Sequence, residues 1–275
     1  MSYTPGIYAD ISNRDYHADP ALGSTSLKTL ATKTPAHYQY DKSHTKTSEH
    51  FDLGTAVHSL VLEADTTGVE VLDFAAWTTK AAKEARDEAR NAGKIPMLVK
   101  DWQQVLAMRN AVMAHPVASK LFTGHRAEAS VFWEEDGLMQ KCRPDAWHPD
   151  LLVDLKTTRD ADPNEFGSTA ANLGYHQSVA HYVDGVKAAT GEELPFRFVL
   201  VEKTAPYLVS VVDLDSEAVE IGRALNDRAK RIYRECLEAN TWPGYPTIDP
   251  VSLPMWAIYK TEDLLDIPSD IEMAA

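Results

Sequence analysis

Residues 151–158, LLVDLKTT, run apolar on either side of Asp154 and place Lys156 two positions further on. A short apolar run of this kind reads as a strand buried on both faces. A charged carboxylate inside such a strand is costly unless a counter-charge or a metal meets it. Side chains two apart on a strand share a face, so Asp154 and Lys156 point together while Leu155 turns into the core. The chain is therefore expected to build a covered sheet that keeps a charged site on one of its strands.

The flanking segments supply the rest of that sheet. HRAEASVFWEED (125–136) alternates in polarity, and GLMQKCRPDAWH (137–148) follows it after the turn signal Asp136–Gly137. The two read as a β-hairpin. FRFVLVEK (196–203) and YLVSVVDL (207–214) read as two further strands. Helical spacing or composition marks 48–63, 78–94, 96–116, 164–191 and 216–240, and a Ser/Thr cluster caps a helix from Ser24 that meets Pro35. Residues 1–23 read as irregular. The order of helices, three strands, helix, two strands and helix predicts an α/β fold, a mixed central sheet flanked by helices. A chain of 275 residues suits a single domain. Within it, 1–47 would form an N-terminal extension, 48–240 the core and 241–275 a loosely packed, proline-rich tail.

Charge and composition exclude some functions. The formal net charge of −14 argues against a protein that coats nucleic acid indiscriminately, and leaves room for an enzyme that gathers its cations in one channel. No apolar stretch approaches the length of a membrane span, and the first residues lack the basic-then-apolar pattern of a signal peptide. Cys142 and Cys236 make neither a metal-type pair nor a disulfide framework, as expected in a reducing cytoplasm.

Asp145 lies near the end of the strand that precedes LLVDLKTT, where its carboxylate can approach that of Asp154. Two carboxylates at a strand end make a hard-oxygen site suited to Mg²⁺ or Mn²⁺. The Lys156 ammonium beside them can steady developing negative charge or orient a water. These are the parts needed to hydrolyse a phosphodiester. The competing reading is plainer: Asp145 caps a turn, and Asp154 and Lys156 form a solvated strand face.

RPD at 143–145 followed by VDLKTT at 153–158 resembles the PD-(D/E)xK nuclease superfamily. GTAVHSLVLE (54–63), HRAEASVFW (125–133), YHQSVAHYVDG (175–185), FVLVEKTAPYLVSVVDL (198–214) and the early YHADPALGSTSLKTLATKTPAHY (16–38) are similar to the C-terminal nuclease of the RecE (exonuclease VIII) branch. The resemblance runs in order over about residues 7–240. It implies a restriction-endonuclease-like core, with Asp145, Asp154, His58 and the main-chain carbonyl of Leu155 as metal ligands. Lys156 would be the catalytic lysine, and Glu128 a further acid at the metal or just behind it. It implies DNA contacts by Tyr182 and by the glutamine of a Q-x-x-x-Y pattern. Here the sequence departs from its relatives: Gln177 and Tyr182 are five apart, and Ser178 stands in the glutamine position. Arg143, Thr157, Thr158, Ser26 and Lys28 are the remaining candidates for holding DNA.

What the resemblance implies as activity is Mg²⁺-dependent (or Mn²⁺-dependent), ATP-independent 5′-to-3′ degradation of linear double-stranded DNA, leaving 3′ overhangs. The partners implied are a RecT-like single-strand annealing protein and further copies of the chain in a trimeric or tetrameric ring, in the cytoplasm of a bacterial host. No GxxxxGK[ST] motif occurs, in keeping with ATP independence. An endonuclease on the same fold and a silent DNA-end or protein-binding module are the alternatives.

Overall fold

The computed structural model describes residues 2–44, 49–247 and 250–265. They form two compact units, Met1–Trp242 and Pro243–Ala275. In the first, β1 (Gly6–Tyr8), α1 (Asn13–Ala18), α2 (Ser24–Thr32), α3 (Pro35–Ser43) and α4 (Glu49–Leu62) come first. They lead to β2 (Val69–Leu72), α5 (Lys80–Asn91), β3 (Ile95–Leu98), α6 (Val99–Ala114) and α7 (Ala118–Leu121). The strands β4 (Arg126–Ala127), β5 (Ser130–Glu135), β6 (Leu138–Cys142), β7 (Ala146–His148) and β8 (Leu151–Thr158) follow. Then come α8 (Pro163–Leu173), α9 (Tyr175–Thr190), β9 (Phe196–Glu202), β10 (Val209–Val212) and α10 (Ser216–Ala239). The second unit holds α11 (Met255–Leu265). No helix among the described residues is long and apolar enough to cross a membrane.

The central sheet is mixed, in the order β10-β9-β8-β7-β4, with β8 and β9 parallel and the other pairs antiparallel. Helices cover both of its faces. Val153, Leu155, Val199 and Val201 point into one core with Val57, Leu60 and Val61 of α4 and Val105 and Met108 of α6. Leu152, Phe198 and Leu200 point into the other with Phe166 of α8 and Val179, Val183 and Val186 of α9. This alternation puts Asp154 and Lys156 on the α9 side, as the run LLVDLKTT predicts. A second, antiparallel sheet, β1-β5-β6, carries the N-terminal strand. A parallel pair, β2-β3, stands apart.

Several expected elements are divided. The hairpin at Asp136–Gly137 forms as β5 and β6, but neither arm is one continuous strand. The first breaks at Glu128, whose φ of 44° no strand residue adopts. The second breaks at Pro144 and Asp145, where the chain leaves one sheet and enters the other. The segment 96–116 begins as strand β3, because Pro96 sits on a two-stranded edge that needs no further N–H donor there. The long segment 164–191 is two helices, hinged at Gly174 with a left-handed φ of 65°. Pro35 opens a new helix, α3, with Thr34 as its cap, accepting from the His37 N–H. The first 23 residues also hold β1 and α1. Lys141 ties them down, donating to the carbonyls of Tyr16 and Asp19 at 2.5 and 2.8 Å.

Candidate active site

Asp145 lies at the crossing between the two sheets, one residue before β7, and is fastened to the central strand. The peptide N–H of Leu155 donates to Asp145 Oδ2 at 2.6 Å, which sets this carboxylate beside Asp154 on β8. His58 of α4 brings Nε2 to the same oxygen at 3.1 Å. Its Nδ1 lies 2.8 Å from the Gly54 carbonyl. A carbonyl only accepts, so Nδ1 carries a proton and Nε2 is the atom that faces the acids. Lys156 forms an ion pair with Asp154 Oδ2.

The charges interlock. Burial alone would lower the His58 pKa, yet the adjoining Asp145 carboxylate lifts it to about 9. Burial works against ionisation of Asp145 too, but His58, Lys156 and the Leu155 N–H hold its pKa below the usual range. Asp154 goes the other way, raised by burial and by the charge of Asp145 against the opposing pull of Lys156. Lys156 is itself raised: burial is outweighed by the two carboxylates. One acid is thus held ionised and the other resists ionisation, the behaviour of two carboxylates sharing one space.

The Asp154 Oδ2 atom is buried and, although it touches the Lys156 ammonium, makes no directed hydrogen bond. Among the described residues no three His, Cys, Asp or Glu side chains close on one point. The acids stand instead in two ion pairs, His58–Asp145 and Lys156–Asp154. In kind the donors fit a hard divalent cation: two neighbouring carboxylates that repel, an under-bonded carboxylate oxygen and an imidazole with its tautomer set from behind.

The other expected residues divide. Glu128 is not in a strand. It sits at the positive-φ break, donates its N–H to the Asp145 carbonyl at 3.1 Å, and its carboxylate lies 3.5 Å from Arg143 Nη1. Burial first, then Asp145, raises its pKa. Arg143 is not presented to DNA. It is buried, donating to Ser130 Oγ at 2.8 Å and the Ile11 carbonyl at 2.9 Å, with its guanidinium over the Tyr16 ring. The sheet switch breaks the alternation that would have aligned it with Asp145.

Gln177 does not reach the acids either. It is 1% exposed and locked to α10, donating to Asn226 Oδ1 while the Asn226 amide donates to its carbonyl. Ser178 hydrogen-bonds Ser24 Oγ of α2 at 2.8 Å. Tyr182 is half-buried, and burial, Tyr16, Asp154 and Asp145 hold its phenol well above the usual range. Thr158 turns its hydroxyl to the Asp160 carbonyl and so closes the turn after β8. Thr157 lies on the opposite face of β8 from Lys156, near Gly54. Leu155 is buried, and it is its N–H that meets Asp145. Ser26 is half-buried on α2. Lys28 does reach the site: burial and then the neighbouring Lys156 lower its pKa to about 8.

One residue at the site was missed. The ring of Tyr175 lies 5.4 Å from Lys156 Nζ and 5.8 Å from Lys28 Nζ. The signal was available, because Tyr175, Ser178 and Tyr182 are spaced i, i+3, i+7 and share one helix face.

A family model described as "PDDEXK-like domain of unknown function (DUF3799)" matches residues 23–248. No curated protein matches the sequence. Among solved structures, a protein of Eubacterium rectale named "Putative exonuclease" superposes with a TM-score of 0.61 at 15% identity, over 93% of this chain and 98% of its own. At that identity the likeness shows the fold. A phage related exonuclease of Haemophilus somnus reaches a TM-score of 0.34 at 13% identity, over 80% of this chain and 96% of its own. The alkaline exonuclease of Laribacter hongkongensis reaches 0.27 at 11%, over 70% and 96%. Likeness at those two levels carries no argument.

Proposed function

The chain belongs to the PDDEXK-like domain family, and from that premise we propose that it is a Mg²⁺-dependent nuclease. More finely, the proposal is an ATP-independent exonuclease that degrades linear double-stranded DNA from 5′ to 3′ and leaves 3′ overhangs for strand annealing. The observation that carries the nuclease reading is the pair of neighbouring ion pairs, His58–Asp145 and Lys156–Asp154, with Asp145 locked to β8 through the Leu155 N–H. The finer reading draws on the RecE-like motifs and on the name borne by the Eubacterium rectale protein.

In this reading Asp145, Asp154, His58 Nε2 and the Leu155 carbonyl would hold the metal. A bound Mg²⁺ or Mn²⁺ would act as Lewis acid and lower the pKa of a coordinated water. Lys156 would donate hydrogen bonds to the attacking water or to the phosphate oxygens, a role that suits an ammonium held charged by two acids. Glu128 would sit behind Asp145 and fix its backbone. Tyr182 and Lys28 would hold the DNA backbone. A ring of three or four copies, acidic outside and basic within, would reconcile a net charge of −14 with a DNA substrate. Its product would suit a single-strand annealing partner.

The test is digestion of end-labelled linear and closed-circular duplexes with Mg²⁺, by the native chain and by Asp154→Asn. Release of 5′-terminal nucleotides from linear DNA alone, lost in the variant, is the expected result. Cutting of the circle would replace the exonuclease with an endonuclease on the same fold, and equal inertness of both chains with Mg²⁺ and Mn²⁺ would leave a binding module.

A further inference from the structure

Two ammonium groups converge where one would suffice. Lys156 comes from β8 and Lys28 from α2, and both lie within cation–π range of the Tyr175 ring, at 5.4 and 5.8 Å from its centroid. Like charges brought together at a half-buried place repel; Asp154, ion-paired with Lys156, offsets part of that repulsion, and the ring adds to it from another side. The face of an aromatic ring carries negative charge and offers a fixed partner that is not itself an anion.

The ring is fixed from behind. It stacks on Phe198 at 5.6 Å with an interplanar angle of 28°, and lies 6.2 Å from the Phe166 ring. Phe198 is the β9 residue in register with Asp154, so the platform and the acid are set by the same strand pair. The approach of Lys28 is shaped as well. A Cβ on Gly174 would lie 2.6 Å from Lys28 Cδ, and Lys28 Nζ is 3.4 Å from the Leu173 carbonyl. The left-handed glycine between α8 and α9 is thus the slot through which the Lys28 stem passes.

The geometry points to Tyr175 as a positioning residue: its ring, and not its hydroxyl, holds Lys156 and Lys28 side by side as a two-cation clamp for one phosphate group. The phosphate is that of the DNA backbone, so the substrate side of this inference rests on the nuclease reading.

The experiment replaces Tyr175, in the full chain, with Phe, with phenylalanines of increasing ring fluorination and with Leu. It reads kcat and KM on linear duplex with Mg²⁺, together with the NMR shifts of the lysine ε-methylene protons. Fluorination drains the ring face while nearly preserving shape, so a purely structural role would barely respond. Tyr175→Phe should keep kcat within about twofold. Along the fluorinated series kcat should fall steadily, by about 5- to 30-fold overall for a partly desolvated cation–π pair, with KM changing less and thermal unfolding unchanged. The ε-methylene protons of Lys28 and Lys156, assigned by Lys28→Arg and Lys156→Arg, should be ring-current shifted in the native chain and in Tyr175→Phe, and lose that shift in Tyr175→Leu. A flat fluorinated series in an active enzyme, or a Phe variant as impaired as Leu, overturns the clamp. If the native chain cleaves nothing, the nuclease reading fails, and unshifted ε-methylene protons would then remove the positioning role on their own.

Discussion

A single methyl group at Gly222 tests how α9, and with it one wall of the site, is held. Gly222 lies where α10 crosses α9, and a Cβ there would sit 2.2 Å from the His176 carbonyl oxygen, 2.5 Å from its carbon and 2.9 Å from the Gln177 nitrogen. Ordinary contact begins near 3.4 Å, so the helices must part by about 1 Å, since backbone cannot rotate away as a side chain can. In an open helix Gly→Ala stabilises by about 1 kcal/mol. Here overpacking costs roughly 1–3 kcal/mol. Separation also stretches the Gln177–Asn226 pair, whose bonds are 3.2 and 2.9 Å, at about 1 kcal/mol for each bond lost. The net for Gly222→Ala is a destabilisation of about 1–4 kcal/mol. With a urea m-value of about 2–3 kcal/mol/M, the unfolding midpoint should fall by about 0.3–2 M at unchanged m. Because α9 starts at Tyr175, activity per folded molecule should fall too. A midpoint that is unchanged or higher would mean that helix propensity wins, and would refute the close crossing.

Mg²⁺ at about 100 times its Kd should raise stability by about 2.7 kcal/mol; in Asp154→Asn a metal titration followed by thermal unfolding should be nearly flat. Arg143→Ala should cost about 3–5 kcal/mol, because it strips a buried cation from Ser130, Ile11 and Glu128, and Arg143→Lys should rescue little of it; unchanged urea stability with weakened DNA binding would return Arg143 to the DNA. His181 is buried and lies 2.9 Å from the Lys141 carbonyl, and burial depresses its pKa to about 4. Its folded pKa lies below the unfolded value of 6.5. As pH falls from 6.5 toward 4, the unfolded chain therefore takes up a proton that the fold refuses, and stability drops by up to about 3 kcal/mol. Urea midpoints across this range should fall more steeply for the native chain than for His181→Gln.

What could be read in advance was whatever local pattern decides. The β8 strand is set by its own apolar run, and the turn at Asp136–Gly137 by residues that accept positive φ, 49° and 77° here. The long amphipathic α10 carries its own cap, Asp215 accepting from the Ala218 N–H. What escaped was decided at a distance. Nothing near Glu128 marks its break, and Pro144, which does mark a break before Asp145, does not say that the chain changes sheets there; that crossing is why Arg143 turns inward. Gln177 looked like a DNA contact because it carries the right chemistry one position from the right place, and only the closeness of Gly222 and Asn226 reveals that it faces another helix. Lys141 reads as an ordinary strand residue until the carbonyls of α1 and its following loop arrive above it. Tyr175 was visible in its spacing, but its two cations come from β8 and from α2, far apart in sequence.

The clearest mark of that distance is the hydrogen bond from Lys28 to Leu173, which spans 145 positions. The α2 lysine and the α10 glycine that seats α9 stand far apart in sequence. The cleft is therefore closed by contacts long in sequence, whose loop-closure entropy must be met before they are rewarded, however well the early helices form. The wall that α2 supplies is laid down first, and the rest of the cleft waits on strands and helices that follow much later in the chain.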